Sequence, residues 1–417
     1  MMLSNVVDGA LFKIHRKQTN ISIQALANYI GISASIISDF ENGKKNISYD
    51  KLEELYQYLD MKYVVSTVDE DEFISFLDEM ITDLRYDTKV YATYQQINEF
   101  EEKLKYSKYY FLIFFAYLLL FIYQGNSKIS EVQKKYYFNI LKENMEHTPE
   151  RYQALVCDTL GCCCLESNDT KQALALFEQA LSRSKCEEDD AISLYHIGFQ
   201  KSFRGQLSEA LELFTRAKSI FDRHVLYVRG LMCQIEIGIV YMQLGLYDKS
   251  EQVYLECIRC SKRHDNLLSK LICSYNNLMW LYVSSRQYEK VLALESTVLK
   301  VDKMNPNYLS YIGISYYHLD DKDNAKRYLE KSKVELTHAT KTQNAVIDVY
   351  LTIINRNRYR EIENKIKLAY EEAIKRFDHQ CQIYLLELLL DIQIKFEKWD
   401  KQRETQNLLY QKITERR

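Results

Sequence analysis

Proline is almost absent. Two residues, Pro149 and Pro306, serve a chain of 417, and glycine is also scarce at eleven. Proline removes an N–H and clashes with the preceding turn, and glycine costs backbone entropy. Their scarcity predicts an all-α chain. No excess of charge is present either: 55 Lys and Arg face 58 Asp and Glu, a net charge of −3. A protein coating nucleic acid along its length would be strongly basic, so any DNA contact belongs to one local surface. The greasiest stretch, Tyr109 to Tyr123, is fifteen residues, short of the roughly 20 that span a bilayer. It predicts a buried core helix and no membrane partner. The first eight residues lack the basic start and apolar run of a secretion signal, so a cytoplasmic protein is expected.

Ten cysteines occupy irregular positions. Cys257 and Cys260 form a C-x-x-C, but no second pair or histidines at ligand spacing follow. Buried reduced thiols are expected, with no metal and no cofactor, as suits a reducing compartment. Walker loops, H-E-x-x-H and G-x-S-x-G are missing, and the eight histidines are scattered. No catalytic set can be assembled, and the chain is not expected to be an enzyme. Apolar residues, by contrast, make up 47% and aromatics 13%, enough for a large core.

Residues 1–65 carry a compact pattern. Val6, Val7, Ala10, Leu11 and Ile14 recur at helical spacing. Ser22 can cap a second helix that buries Leu26, Ala27 and Ile30. Gly31 supplies a tight turn, and Ser33 or Ala34 opens a third helix through Phe40. A fourth runs from about Asp50 to Leu59. Helix, glycine turn, helix is helix-turn-helix logic. With Arg16, Ser22, Leu26, Ala27, Gly31, Ser33, Ile37 and the run Glu41-Asn42-Gly43-Lys44, the segment resembles the Xre/Cro-type DNA-binding family. That resemblance implies phosphate contacts from Lys13, Arg16 and Lys17 at the end of helix 1 and from Lys44 and Lys45 after Gly43. Ser22 and Asn42 join that face. Ser33, Ser35 and Ser38 can reach base edges or phosphates, and Ala34 can touch a thymine methyl. Arginines that the family often carries in its reading helix are replaced by Ala34 and Asp39, so discrimination would lean on DNA shape and dimer spacing. An intramolecular pair between Arg16 and Glu41 is the alternative role for that arginine. Charge here is sorted rather than in excess, with seven Lys/Arg against seven Asp/Glu.

Lys62 to Glu72 breaks the helical pattern and is expected to include a linker, 66–72, before a second domain at 73–417. That domain repeats. Small or apolar anchors at Ala173, Ala210, Ser250, Val291, Ala325, Ile362 and Gln402 are spaced by 37, 40, 41, 34, 37 and 40 residues. Gly161, Gly198, Gly238 and Gly313 lie twelve positions before four of these anchors, where they would let paired helices approach. Tyr247, Tyr288, Tyr359 and Trp399 lie three residues before theirs and are expected to fill the junction with the next pair. The pattern, clearest over Ile235 to Tyr254, resembles a tetratricopeptide array. Such arrays wind into a right-handed superhelix with a concave groove. It is firm over about Arg151 to Glu335 and weak beyond, where Tyr350 and Leu390 replace the small residue.

The combination resembles the peptide-sensing regulators of Gram-positive bacteria, the Rgg/NprR/PlcR/PrgX group. The resemblance implies a homodimer that binds promoter DNA and is switched by a short imported signalling peptide on the concave face. By family register Asn276 projects toward that groove, with Asn277 beside it; Asn offers both donor and acceptor to a peptide backbone, or could bond between repeats. Tyr195, Phe199, Ile235, Ile239, Ser310, Ile314 and Tyr317 would either form pockets for peptide side chains or pack the inner wall. The competing expectation is an array that sequesters a response regulator or phosphatase, with little DNA binding.

Overall fold

The computed structural model describes residues 5–61, 67–86, 92–105, 107–124, 129–335, 341–356, 358–376 and 378–414. Among these residues the chain forms twenty-two α-helices and no strand. They belong to two compact units, Met1–Ser193 and Leu194–Arg417.

The first unit opens with α1 (Asn5–Gln18), α2 (Ile23–Ile30), α3 (Ala34–Glu41) and α4 (Tyr49–Tyr58). Ser22 caps α2 by accepting from the Ala25 N–H, and Ser33 caps α3 by accepting from that of Ile36. Gly31 ends α2 at φ 66°, a left-handed conformation that glycine adopts without steric cost. Phe12, Leu26, Ile37, Phe40, Leu55 and Tyr56 are fully buried and form the shared core. One feature escapes the periodicity. A Cβ on Gly9 would lie 2.0 Å from the carbonyl oxygen of Phe40, so α1 crosses the end of α3 in backbone contact.

Then follow α5 (Thr67–Tyr86), α6 (Tyr94–Lys103), α7 (Tyr110–Gln124), α8 (Glu131–Glu143), α9 (Glu150–Glu166) and α10 (Thr170–Arg183). Positions 67–72, expected to lie in a linker, are helical; the rest of that segment, 62–66, lies outside the described residues. Asp69 and Glu70 sit in the first turn of α5, where carboxylates favour the positive end of the helix. The acidic run therefore starts a helix rather than breaking one. Helix α7 is the greasy stretch, buried at every position from Tyr110 to Leu120, and it packs against α5, α6, α8 and α9. No helix among the described residues is long and apolar enough to cross a membrane. The four N-terminal helices dock on this layer: His15 Nε2 lies 2.7 Å from the Lys105 carbonyl oxygen, and Gln18 Nε2 donates to Tyr136 OH at 3.2 Å.

The second unit takes in the later part of α11 (Glu187–Phe203), then α12 (Leu207–Arg223), α13 (Tyr227–Gln243), α14 (Tyr247–Ser261), α15 (Leu268–Ser284), α16 (Tyr288–Val301), α17 (Pro306–His318), α18 (Lys322–Glu335), α19 (Lys341–Arg356), α20 (Tyr359–Lys375), α21 (His379–Lys395) and α22 (Trp399–Thr414). Sequential helices pair, as in tetratricopeptide hairpins. The glycines account for the closeness of the pairs. A Cβ on Gly238 would meet the Tyr254 ring at 2.5 Å, one on Gly198 the Phe214 ring at 3.0 Å, and one on Gly313 Leu329 at 2.8 Å. Each partner lies sixteen residues on. Anchors Ala210, Ser250, Val291, Ala325 and Ile362 are fully buried, and Ser250 Oγ donates to the Gly238 carbonyl at 2.8 Å. Tyr288 stacks on His318 of the next pair, ring centroids 4.3 Å apart. Trp399, in the last pair, is 62% exposed. The pairing continues through α19–α22 although its sequence signature fades there. Tyr350, in place of a small residue, is fully buried and bonds His318 Nε2 at 2.8 Å and the Tyr384 hydroxyl. All ten cysteines are free thiols and six are buried; desolvation pushes the Cys257 thiol up to about 12.

Candidate functional site

The first helix of each hairpin in the second unit turns one stripe of side chains toward a common cavity of about 480 Å³. Phe199, Ser202 and Phe203 come from α11, and Glu236, Ile239 and Gln243 from α13. Trp280 comes from α15, and Ser310, Tyr311 and Ile314 from α17. Thr342, Gln343, Val346 and Ile347 come from α19, with Arg376, Asp378 and Cys381 around the start of α21. Positions three, four or seven apart share a helix face, so the lining is a direct consequence of hairpin stacking. Trp280 braces the wall, its ring 5.6 Å from Tyr311 and 5.1 Å from Tyr384. Gln343 Nε2 donates to Ser310 Oγ at 2.7 Å, tying α17 to α19. Thr342 Oγ1 is buried with no hydrogen-bond partner.

Four of the nine residues expected to hold a peptide line this cavity: Phe199, Ile239, Ser310 and Ile314. Others lie on neighbouring faces of the same helices. Tyr195 packs on Phe214, 5.7 Å between rings, Ile235 lies in the cluster with Leu231 and Cys257, and Tyr317 sits edge-on to Tyr350 at 5.3 Å. Asn276 is one turn before Trp280 on the same face, and its Oδ1 is buried without a partner. Asn277 turns aside, its Nδ2 donating to Cys273 Sγ at 3.7 Å. The expected residues missed Glu236, Trp280, Tyr311 and the whole of α19. Glu236 and Tyr311 adjoin the chosen Ile235 and Ser310, so a stripe drawn one position over would have found both.

Glu236 is the chemically unusual wall residue. No hydrogen bond or ion pair reaches its carboxyl among the described residues, and desolvation pushes it up to about 7. Arg376 lines the same cavity with its Nε donating to Glu372 at 3.0 Å. Asp378 caps α21 by accepting from the Cys381 N–H at 2.9 Å.

In the N-terminal helices the expected DNA-facing residues divide by what they already bond. Arg16 is committed inward: its Nε and Nη2 meet the Glu41 carboxylate at 2.5 and 2.8 Å, and Nη1 donates to the Ile21 carbonyl at 2.8 Å. Glu41 is buried, so this is the intramolecular pair named as the alternative. Ser22 and Ser33 are N-caps, exposed and half-engaged. Lys13 Nζ donates to Asn42 Oδ1 at 2.9 Å, and Asn42 Nδ2 donates to the Ser38 carbonyl at 2.7 Å. Lys13, Lys17 and Asn42 line a crevice of about 440 Å³ whose other wall includes Tyr136, Asn139 and Glu143 of α8. Ser35, Lys44 and Lys45 are exposed and Ala34 is half-buried; Lys45 lies 3.5 Å from Asp39. Gly43, at φ 70°, turns the chain so that the Lys44 N–H donates to the Asp39 carbonyl at 2.7 Å, which fixes where the two lysines emerge.

Residues 12–63 match the helix-turn-helix family, and residues 233–263 match the tetratricopeptide repeat. No curated protein matches the sequence. Solved structures do match the fold. A Rap protein complexed with competence and sporulation factor is 12% identical with a TM-score of 0.64, over 83% of this chain and 100% of that one. NprR in complex with its cognate peptide NprX is 16% identical with a TM-score of 0.55, over 82% and 97%. Aspartyl phosphate phosphatase F from Bacillus subtilis is 14% identical with a TM-score of 0.56, over 84% and 96%. The chain thus combines an Xre-type helix-turn-helix with tetratricopeptide-like helical repeats in a fold similar to those of Rap proteins and NprR.

Proposed function

We propose that this chain is a cytoplasmic transcription regulator in which the repeat unit receives a short signalling peptide and the helix-turn-helix, over residues 1–65, binds promoter DNA as a homodimer. The observation that carries the reading is the cavity: successive hairpins converge on one space whose aromatic and aliphatic walls are interspersed with polar and charged side chains, the form of a small-ligand site. Two proteins of similar fold were solved with such ligands bound, competence and sporulation factor and NprX. A peptide that prefers one arrangement of the repeats shifts the population toward it, and the placement of the paired DNA-reading segments changes by linkage. DNA grip would rest on Lys44 and Lys45, with Ser35 and Ser33 at the mouth of α3.

A second reading has its own observation. Helix α3 offers no arginine or lysine to a base edge, and Arg16 is spent on Glu41. That poverty favours an array that captures a response regulator or phosphatase. Mobility shift on DNA upstream of the coding sequence, at 50 and 200 mM salt, separates the two. Regulator binding predicts retention that Lys44→Ala with Lys45→Ala weakens by at least tenfold, with the salt slope falling by about 4, two lysines being lost from each protomer. No retention at low salt by the wild-type chain favours capture.

A further inference from the structure

Helices α20, α21 and α22 surround a slot of about 180 Å³ that shares no lining residue with the cavity described above. Successive helices of a hairpin stack run antiparallel, so the start of α20, the end of α21 and the start of α22 meet at one end of the slot. That end is polar. Lys401 Nζ donates to the two oxygens of Glu363 at 2.8 and 2.9 Å, tying α22 to α20, and Lys367 lies 3.2 Å from the same carboxylate. Gln393 lines the same end and is 1% exposed. Its Nε2 donates to Thr405 Oγ1 at 3.0 Å, while its Oε1 is buried and accepts from no group among the described residues. The far end is lined by Tyr370, Leu386, Leu389 and Leu408.

A buried acceptor left unmet loses free energy that an arriving donor restores. Two lysines already answer the buried Glu363, and the lining's other carboxyl, Glu404, is exposed. The slot therefore asks for a neutral donor rather than an ion. Water can meet the oxygen but leaves the leucine wall uncovered. Apolar cavities of about 150 Å³ take benzene, so this volume admits one ring. We propose that the slot between α20, α21 and α22 is a binding site for a neutral one-ring molecule carrying a hydroxyl or ring N–H. The donor meets Gln393 Oε1, and the ring lies on Leu386, Leu389 and Leu408. This site stands independently of the peptide reading.

Fluorine NMR titration of the full chain with para-fluorophenol and para-fluorotoluene tests it. The two rings match in size and differ in the donor. A wholly apolar site would favour the toluene; here the phenol should bind at least threefold more tightly. Gln393→Met keeps the length of the side chain and removes the acceptor. It should weaken the phenol at least fivefold and leave the toluene within twofold, which shows that the variant is folded. Leu408→Trp fills the slot from the partly exposed face of α22 and should abolish binding of both, with helical dichroism unchanged. Toluene bound as tightly as phenol would overturn the role of the donor. Phenol affinity unchanged in Gln393→Met would overturn the assignment of Gln393. Binding of neither ring, or binding that Leu408→Trp leaves intact, would overturn the site.

Discussion

Single residues carry opposite kinds of burden in this protein. Arg16 and Glu41 form a buried, bidentate pair, with side chains 12% and 2% exposed. Removing one partner strands the other, so Arg16→Ala should cost about 3–5 kcal/mol in denaturant unfolding. Lys44→Ala, on an exposed loop, should leave the midpoint unchanged. Glu236 works the other way. Its folded pKa stands above the ordinary carboxyl value, so its contribution to stability is fully present below that ordinary value and is lost as pH rises through about 7. A shift of this size corresponds to about 3 kcal/mol. Glu236→Gln should therefore stabilise the chain by about that amount at pH 8 and by little at pH 4, read by unfolding at both. Asn276 offers a further contrast. Its Oδ1 has no partner, so Asn276→Ala should leave stability within about 1 kcal/mol while weakening any peptide that uses it.

Elements show what was legible beforehand and what was not. Helices α1–α4 follow from caps, a glycine turn and a 3.6-residue apolar period, all local signals. The hairpins of the second unit follow from small residues at intervals near 40, because each small residue admits a specific ring or branched side chain sixteen positions on. Helices α5–α8 left no repeat, since α7 is apolar on every face and offers no stripe to read. Gly9 was also illegible: its contact is with Phe40, across a fold that no local pattern announces. The cavity was half legible. Most of the helices that line it are legible, but only one to four residues of each face the space, and a one-position error in register, as between Ile235 and Glu236, turns a side chain by about 100°. Glycine substitutions separate these cases. Gly9→Ala drives a Cβ into backbone and should unfold the N-terminal helices at a cost of about 3 kcal/mol or more. Gly31→Ala meets nothing within 4 Å and should cost only about 1 kcal/mol, for its left-handed φ. Near-ultraviolet dichroism with denaturant titration distinguishes the two.

At the scale of the molecule, each compact unit has a chemistry of its own. The first joins a helix-turn-helix to a layer of helices through His15 and Gln18, and the second stacks hairpins around an open, mostly apolar cavity. Under the proposed function, this space is where a peptide binds. A direct measurement compares retention of a synthetic random hexapeptide library by the wild-type chain and by Ile239→Trp, whose larger ring occupies the cavity. Wild type should retain peptides, and the variant, folded by the same dichroism, should retain at least tenfold less. Equal retention by both would place the peptide elsewhere and contradict it.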